Sequence, residues 1–134
     1  MTKYTKGTLL MVEDDEHTAA LIKFIMLEEG YEVIHAMDGL DAQAKIDALP
    51  PPSLVLLDMG LPHINGLTLL AQIRNRPTWL NTPVLMLTAN DDKTDICKAI
   101  VGGATEYILK PIKKDKLLDR VRRFQSPNWN RRAS

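Results

Sequence analysis

The sequence predicts an α/β fold built on a parallel sheet covered on both faces. Three observations lead there. Five short apolar runs alternate with five amphipathic stretches along the 134 residues. The runs are continuous rather than alternating, as strands buried on both sides should be. Cap and turn residues such as Gly30, Pro50-Pro51-Pro52 and Gly102-Gly103 punctuate the junctions.

Each element follows in order. Thr8 to Val12 is the first strand. From about Glu16 to Glu29, Ala20, Leu21, Phe24, Ile25 and Leu27 fall near helical spacing, and Gly30 ends the helix. Tyr31 to Ala36 is the second strand. Asp38-Gly39 opens a helix through Ala48, stopped by the three prolines. Ser53 to Leu57 is the third strand, and Asn65 caps a helix carrying Leu67, Leu70, Ala71 and Ile73. Val84 to Leu87 is the fourth strand. Asp91 or Asp92 starts a helix through Ile96, Ala99 and Ile100. Thr105 to Leu109 is the fifth strand, and Lys113 to Phe124 the last helix, with Leu117, Leu118, Val121 and Phe124 on one face. Met11, Met26, Met37, Met59 and Met86 are assigned to the core or its margin. Residues 1–125 read as one domain, and 126–134, broken by Pro127, as a polar tail or linker stub.

Composition narrows the function classes. An apolar fraction of 45% and a charged fraction of 25% suit a soluble globular domain. No apolar run nears the roughly 18 residues that span a bilayer. The N-terminal MTKYTKG lacks a signal-peptide core, and Cys97 is the only cysteine, so the cytoplasm is the expected location. Residues 1–111 hold 9 Lys/Arg against 15 Asp/Glu, a balance of −6; residues 112–134 hold 8 against 2, a balance of +6. The basic end reads as a solvated helix face plus a tail. It has no aromatic-interleaved or helix-turn-helix pattern, so no direct nucleic-acid contact is expected.

In open α/β sheets ligands sit beyond the C-terminal strand ends. The first strand ends in Glu13-Asp14-Asp15, the third in Asp58, the fourth in Thr88, and the fifth in Lys110-Pro111. If the first and third strands are neighbours, Glu13, Asp14 and Asp58 converge. Such carboxylates stay ionised when a cation sits among them. An oxygen-only set favours Mg²⁺. Lys110 adds a compact positive charge and Thr88 a hydroxyl, a combination suited to a phosphoryl group. Asp58 would then be the nucleophile, carrying the group as an acyl phosphate. Gly60 would allow a tight turn and offer its carbonyl to the metal, with Pro62 and Gly66 shaping the loop.

Four segments, LLMVEDDEHT, LVLLDMGLPHINGL, PVLMLTA and GGATEYILKPI, each closing a predicted strand, together resemble the receiver domain of bacterial two-component response regulators. The resemblance runs from residue 8 to about 125. It implies a flavodoxin-like (βα)5 doubly wound parallel five-stranded sheet of order 2-1-3-4-5. It implies Asp58 as phospho-acceptor from a histidine kinase or histidine phosphotransfer protein. It further implies Asp14 as direct Mg²⁺ ligand with Glu13 beside it, and the Gly60 carbonyl as backbone ligand. Thr88 would be the switch hydroxyl, Lys110 the phosphoryl-pairing lysine with a cis bond to Pro111, and Tyr107 the aromatic switch. Phosphorylation would alter the surface of the fourth helix, fifth strand and fifth helix, read by a downstream protein partner, an output domain or a homodimer. Ile112 stands where many relatives carry Phe.

Such a domain is no enzyme on a foreign substrate; its chemistry is its own phosphorylation and dephosphorylation. Two alternatives stay beside it. A Mg²⁺-dependent aspartyl-phosphate phosphatase needs a second carboxylate two residues after the nucleophile, where Gly60 stands. A non-phosphorylated adaptor would not need an intact site. A flavodoxin would need a hydroxyl- and glycine-rich loop where Glu13-Asp14-Asp15 lies. Asp15 is read as a helix cap, His63 as an exposed loop residue, and His17 and His35 as carrying no signal.

Overall fold

The computed structural model describes residues 5–89 and 93–125. Asp91 and Asp92, proposed to start a helix, lie outside the described residues, as does the tail 126–134. Strands β1 (Gly7–Val12), β2 (Tyr31–Ala36), β3 (Leu54–Asp58), β4 (Val84–Thr88) and β5 (Glu106–Leu109) alternate with helices α1 (Glu16–Glu29), α2 (Gly39–Ala48), α3 (Gly66–Arg74), α4 (Lys93–Val101) and α5 (Lys114–Arg123). All strand pairs are parallel, in the order β2-β1-β3-β4-β5. This is the flavodoxin-like arrangement expected from the motifs.

The continuous apolar runs divide by period two. Leu9 and Met11 of β1, Leu54 and Leu56 of β3, and Leu85 and Leu87 of β4 face one core with Ile22, Ile25, Met26, Leu117 and Val121. Leu10, Val12, Val55, Leu57, Val84 and Met86 face a second core with Ile46, Leu69, Ile73 and Trp79. Both faces are therefore covered.

Several caps match their residues. Thr18 N–H donates to Asp15 Oδ2 at 2.9 Å, Asp41 N–H to Asp38 Oδ1 at 2.8 Å, and Thr68 N–H to Asn65 Oδ1 at 2.9 Å. Gly30 ends α1 at φ +107°, a left-handed cap that only glycine adopts cheaply.

Three expectations are corrected. The buried face of α1 is Ala19, Ile22, Ile25 and Met26. Of the residues read as its apolar stripe only Ile25 is buried; Ala20, Leu21 and Leu27 are exposed and Phe24 is 62% exposed. Residues 19–22 and 24–27 are all apolar, so helical spacing admits several faces and the position of the sheet chooses one. Met37 is 53% exposed, not core, because the chain has left β2 for the cap of α2. On α4, Ile100 is exposed and Ala99 is the buried residue.

Two features had no strong signal. A 3₁₀ turn at Pro77–Trp79 sends Trp79 into the second core at 1% exposure. Arg74, at the end of α3, donates to the carbonyls of Gly103 (2.8 Å), Thr82 (2.8 Å) and Trp79 (3.2 Å), tying the loop before β4 to the turn before β5. No helix among the described residues is long and apolar enough to cross a membrane.

Candidate phosphoryl-acceptor site

The register brings the chemistry together. Val12 lies opposite Leu57, so Glu13 and Asp58 follow side by side on the two central strands. Thr88 lies opposite Leu109, with Lys110 next along the chain. Asp58 and Thr88 are the last residues of their strands rather than the first after them. Ladder hydrogen bonds thus hold their backbones. The Lys110–Pro111 bond is cis.

Glu13 is fully buried and Asp58 is 4% exposed, whereas Asp14 is exposed. One carboxylate oxygen from each of the three lies within 4.8 Å of the others. Lys110 Nζ is 3.0 Å from Glu13 Oε1, 2.9 Å from Oε2 and 3.4 Å from Asp58 Oδ2. Asp58 Oδ1 accepts from Gly60 N–H at 3.1 Å, and Glu13 Oε1 from Asp15 N–H at 3.2 Å. Burial raises the Glu13 carboxyl above its ordinary pKa, with the Asp58 charge adding to it, although the Lys110 hydrogen bond pulls the other way. Burial acts to lower Lys110, yet the bond to Glu13 and the two carboxylate charges outweigh it and hold the ammonium above its usual value. An ion pair ordinarily acidifies its carboxylate; here desolvation of Glu13 exceeds that gain.

The donor set fits a hard cation. All three side chains offer oxygen only, and Glu13 Oε2 is buried without a well-aligned hydrogen bond. Asp14 is open toward solvent, which would leave room for the waters of a partly hydrated ion.

These residues line an open cleft of about 440 Å³ with Thr88 and Lys110. Asn65 and Asp95 line it too, which the sequence reading did not anticipate. Tyr107 does not: half-buried, it sits in the adjoining hollow with Lys110, Pro111 and Arg120. A larger hollow of about 700 Å³ runs along α5 past Leu118, away from this chemistry. Size therefore does not mark the site; converging charge does.

The two loop glycines differ in what surrounds them. Gly60 has no left-handed φ, and a Cβ there would make only an ordinary contact, with Asp58 Oδ1 at 3.9 Å. At Gly66 a Cβ would come within 2.3 Å of the Asp58 carbonyl oxygen. The tight approach in the loop is at Gly66, and the left-handed residue is His63, at φ +69° and exposed. His35, read as carrying no signal, places Nε2 2.7 Å from the Glu13 carbonyl.

Residues 9–122 match the family model of the response regulator receiver domain. The chain is 37% identical over 116 residues to the transcriptional regulatory protein KdpE of Mycobacterium tuberculosis, covering 86% of this chain and 50% of that protein. It spans about half the length of several such regulators. It is 34% identical over 123 residues to Protein PilG of Pseudomonas aeruginosa, covering 91% and 90%. The receiver domain of the sensor histidine kinase PA1611 of Pseudomonas aeruginosa, solved with a magnesium ion coordinated in its active-site cleft, superposes with a TM-score of 0.81 at 26% identity, over 91% of this chain and all of that one. With its parallel sheet of order 2-1-3-4-5 and its acidic cleft, the chain belongs to the response regulator receiver domain family, the signalling switches of two-component systems.

Proposed function

We propose that this domain is switched by phosphorylation of Asp58, with a histidine kinase or histidine phosphotransfer protein as donor. The observation that carries the reading is the placement of Asp58. It is almost buried, 3.4 Å from the Lys110 ammonium, within one cation's reach of Glu13 and Asp14. Asp58 Oδ forms the new bond to phosphorus while the bond from phosphorus to the donor imidazole nitrogen breaks; that nitrogen keeps the bonding electron pair, and the ring leaves as neutral imidazole with its proton on the other nitrogen. Lys110 neutralises the transferred oxygens, and the Thr88 hydroxyl donates to them. Glu13, Asp14, Asp58 and the Gly60 carbonyl would hold Mg²⁺, which supplies further charge neutralisation for the phosphoryl oxygens. Thr88 and Tyr107 then bias the face of α4, β5 and α5 between two states, read by a protein partner, an output domain or a second copy. The domain works in the cytoplasm and turns over no foreign substrate. A phosphatase reading is disfavoured because Gly60 supplies no acid/base carboxylate.

Intact mass after incubation with Mg²⁺ and acetyl phosphate or phosphoramidate tests the reading, with Asp58→Asn alongside. One base-labile, Mg²⁺-dependent adduct on the wild type alone is expected. No adduct on a wild type that binds Mg²⁺ refutes it in favour of an adaptor. Equal adducts on both proteins mean that the acceptor is another residue.

A further inference from the structure

We propose that His35 is a positioning residue for the acidic site: its imidazole fixes the plane of the Glu13–Asp14 peptide and so sets the affinity for Mg²⁺. The inference rests on reading Glu13, Asp14 and Asp58 as a Mg²⁺ site. His35 is the penultimate residue of β2, opposite Met11 of β1. Its Nε2 lies 2.7 Å from the Glu13 carbonyl oxygen. A carbonyl only accepts, so Nε2 carries the hydrogen and the ring donates.

The need for this donor comes from the end of the sheet. Glu13 N–H still donates to the Ala36 carbonyl at 3.2 Å, one step past the last residue of β1. Beyond Ala36 the chain leaves the sheet for the cap of α2 at Asp38, so β2 ends before the residue whose N–H the parallel ladder would aim at the Glu13 carbonyl. A continuing strand would have offered the Glu13 carbonyl a backbone N–H. The half-buried imidazole supplies that donor in its place. Glu13 is then held by β2 at both its N–H and its C=O, while its carboxylate faces Lys110. The carbonyl belongs to the peptide that carries Asp14. Asp14 is exposed, so the direction of its carboxylate depends on that backbone plane. Outer partners that orient ligands in this way commonly control metal affinity.

Two variants separate positioning from packing. His35→Leu keeps an apolar side chain in β2 and removes the donor. His35→Gln restores an N–H at the same reach. Mg²⁺ titration by calorimetry, with thermal unfolding as control, should show His35→Leu binding about tenfold more weakly and His35→Gln within about threefold of wild type. In the metal-free protein, ¹⁵N shifts of the neutral ring should report the Nε2–H tautomer. Unchanged Mg²⁺ affinity in His35→Leu, equal weakening in both variants, or the Nδ1–H tautomer would overturn the inference. A wild type that binds Mg²⁺ but takes no phosphoryl group would sink the proposed function alone, since the Mg²⁺ affinities of the two variants still decide the role of His35. A wild type without Mg²⁺ affinity would sink both.

Discussion

Gly66→Ala makes the sharpest test of how the loop after β3 holds Asp58. The added Cβ would lie 2.3 Å from the Asp58 carbonyl oxygen, 2.8 Å from Met59 Cα and 3.0 Å from the Asp58 carbonyl carbon. Ordinary contact begins near 3.4 Å, so the backbone has to give by about 1 Å. All three atoms are main chain, and no side-chain rotation relieves them. The Gly66 N–H also donates to the Met59 carbonyl at 3.2 Å, which ties helix and loop together. Overpacking of this kind costs about 1–3 kcal/mol. Alanine in place of glycine gains up to about 1 kcal/mol within a helix, and less at the first residue of α3, where Gly66 stands. The clash wins, and a net loss of about 2 kcal/mol is expected. In a chain of 134 residues that lowers Tm by about 6 °C. The companion variant is Gly60→Ala, whose Cβ meets nothing nearer than Asp58 Oδ1 at 3.9 Å. It should stay within about 0.5 kcal/mol of wild type. Urea unfolding at constant m reads both. Equal stability of the two variants, or a larger loss at Gly60, would refute the steric reasoning.

Two further outcomes follow from packing and charge. Trp79→Ala should cost about 3–5 kcal/mol in denaturant unfolding, because a side chain at 1% exposure leaves a cavity in the second core. Glu29 is paired with Arg122 through two bonds of 2.9 and 3.0 Å, and chiefly that hydrogen bonding holds its carboxyl below the ordinary value of 4.5. Its folded pKa is depressed, so its contribution is present above about 4.5 and is lost as pH falls through the lower folded value. Arg122→Ala should therefore be less stable than wild type near neutrality, with the gap closing on acidification; a gap that widens in acid would contradict the pairing.

Much of the site was legible before any fold was known. Asp58, Thr88 and Lys110 each close an apolar run, and Glu13-Asp14 closes another, so one rule about strand ends collects them on one edge. The caps Asp15, Asp38 and Asn65 were legible for a local reason, since each bonds an N–H three residues ahead. The close approach at Gly66 was not legible because composition cannot say which of two loop glycines faces a neighbouring backbone. His35 was missed because its partner is 22 residues away in the chain and is a main-chain oxygen, which no side-chain pattern announces.

What the sequence by itself determined is local and periodic: five apolar-rich runs, the breaks between them, and the chemical type of the residue at each strand end. Tertiary structure decided everything that depends on a neighbour. Placing β1 between β2 and β3 puts Glu13 beside Asp58 and lets Lys110 reach both. The sheet selects Ile22 and Met26 over Leu21 and Phe24 on α1, whose apolar residues fit more than one face. Arg74 finds its carbonyls only once α3, the turn at Trp79 and the end of α4 have met. The physical reason is range: helical spacing, caps and strand runs act over a few residues, whereas burial, charge pairing and steric approach are properties of surfaces brought together from distant parts of the chain.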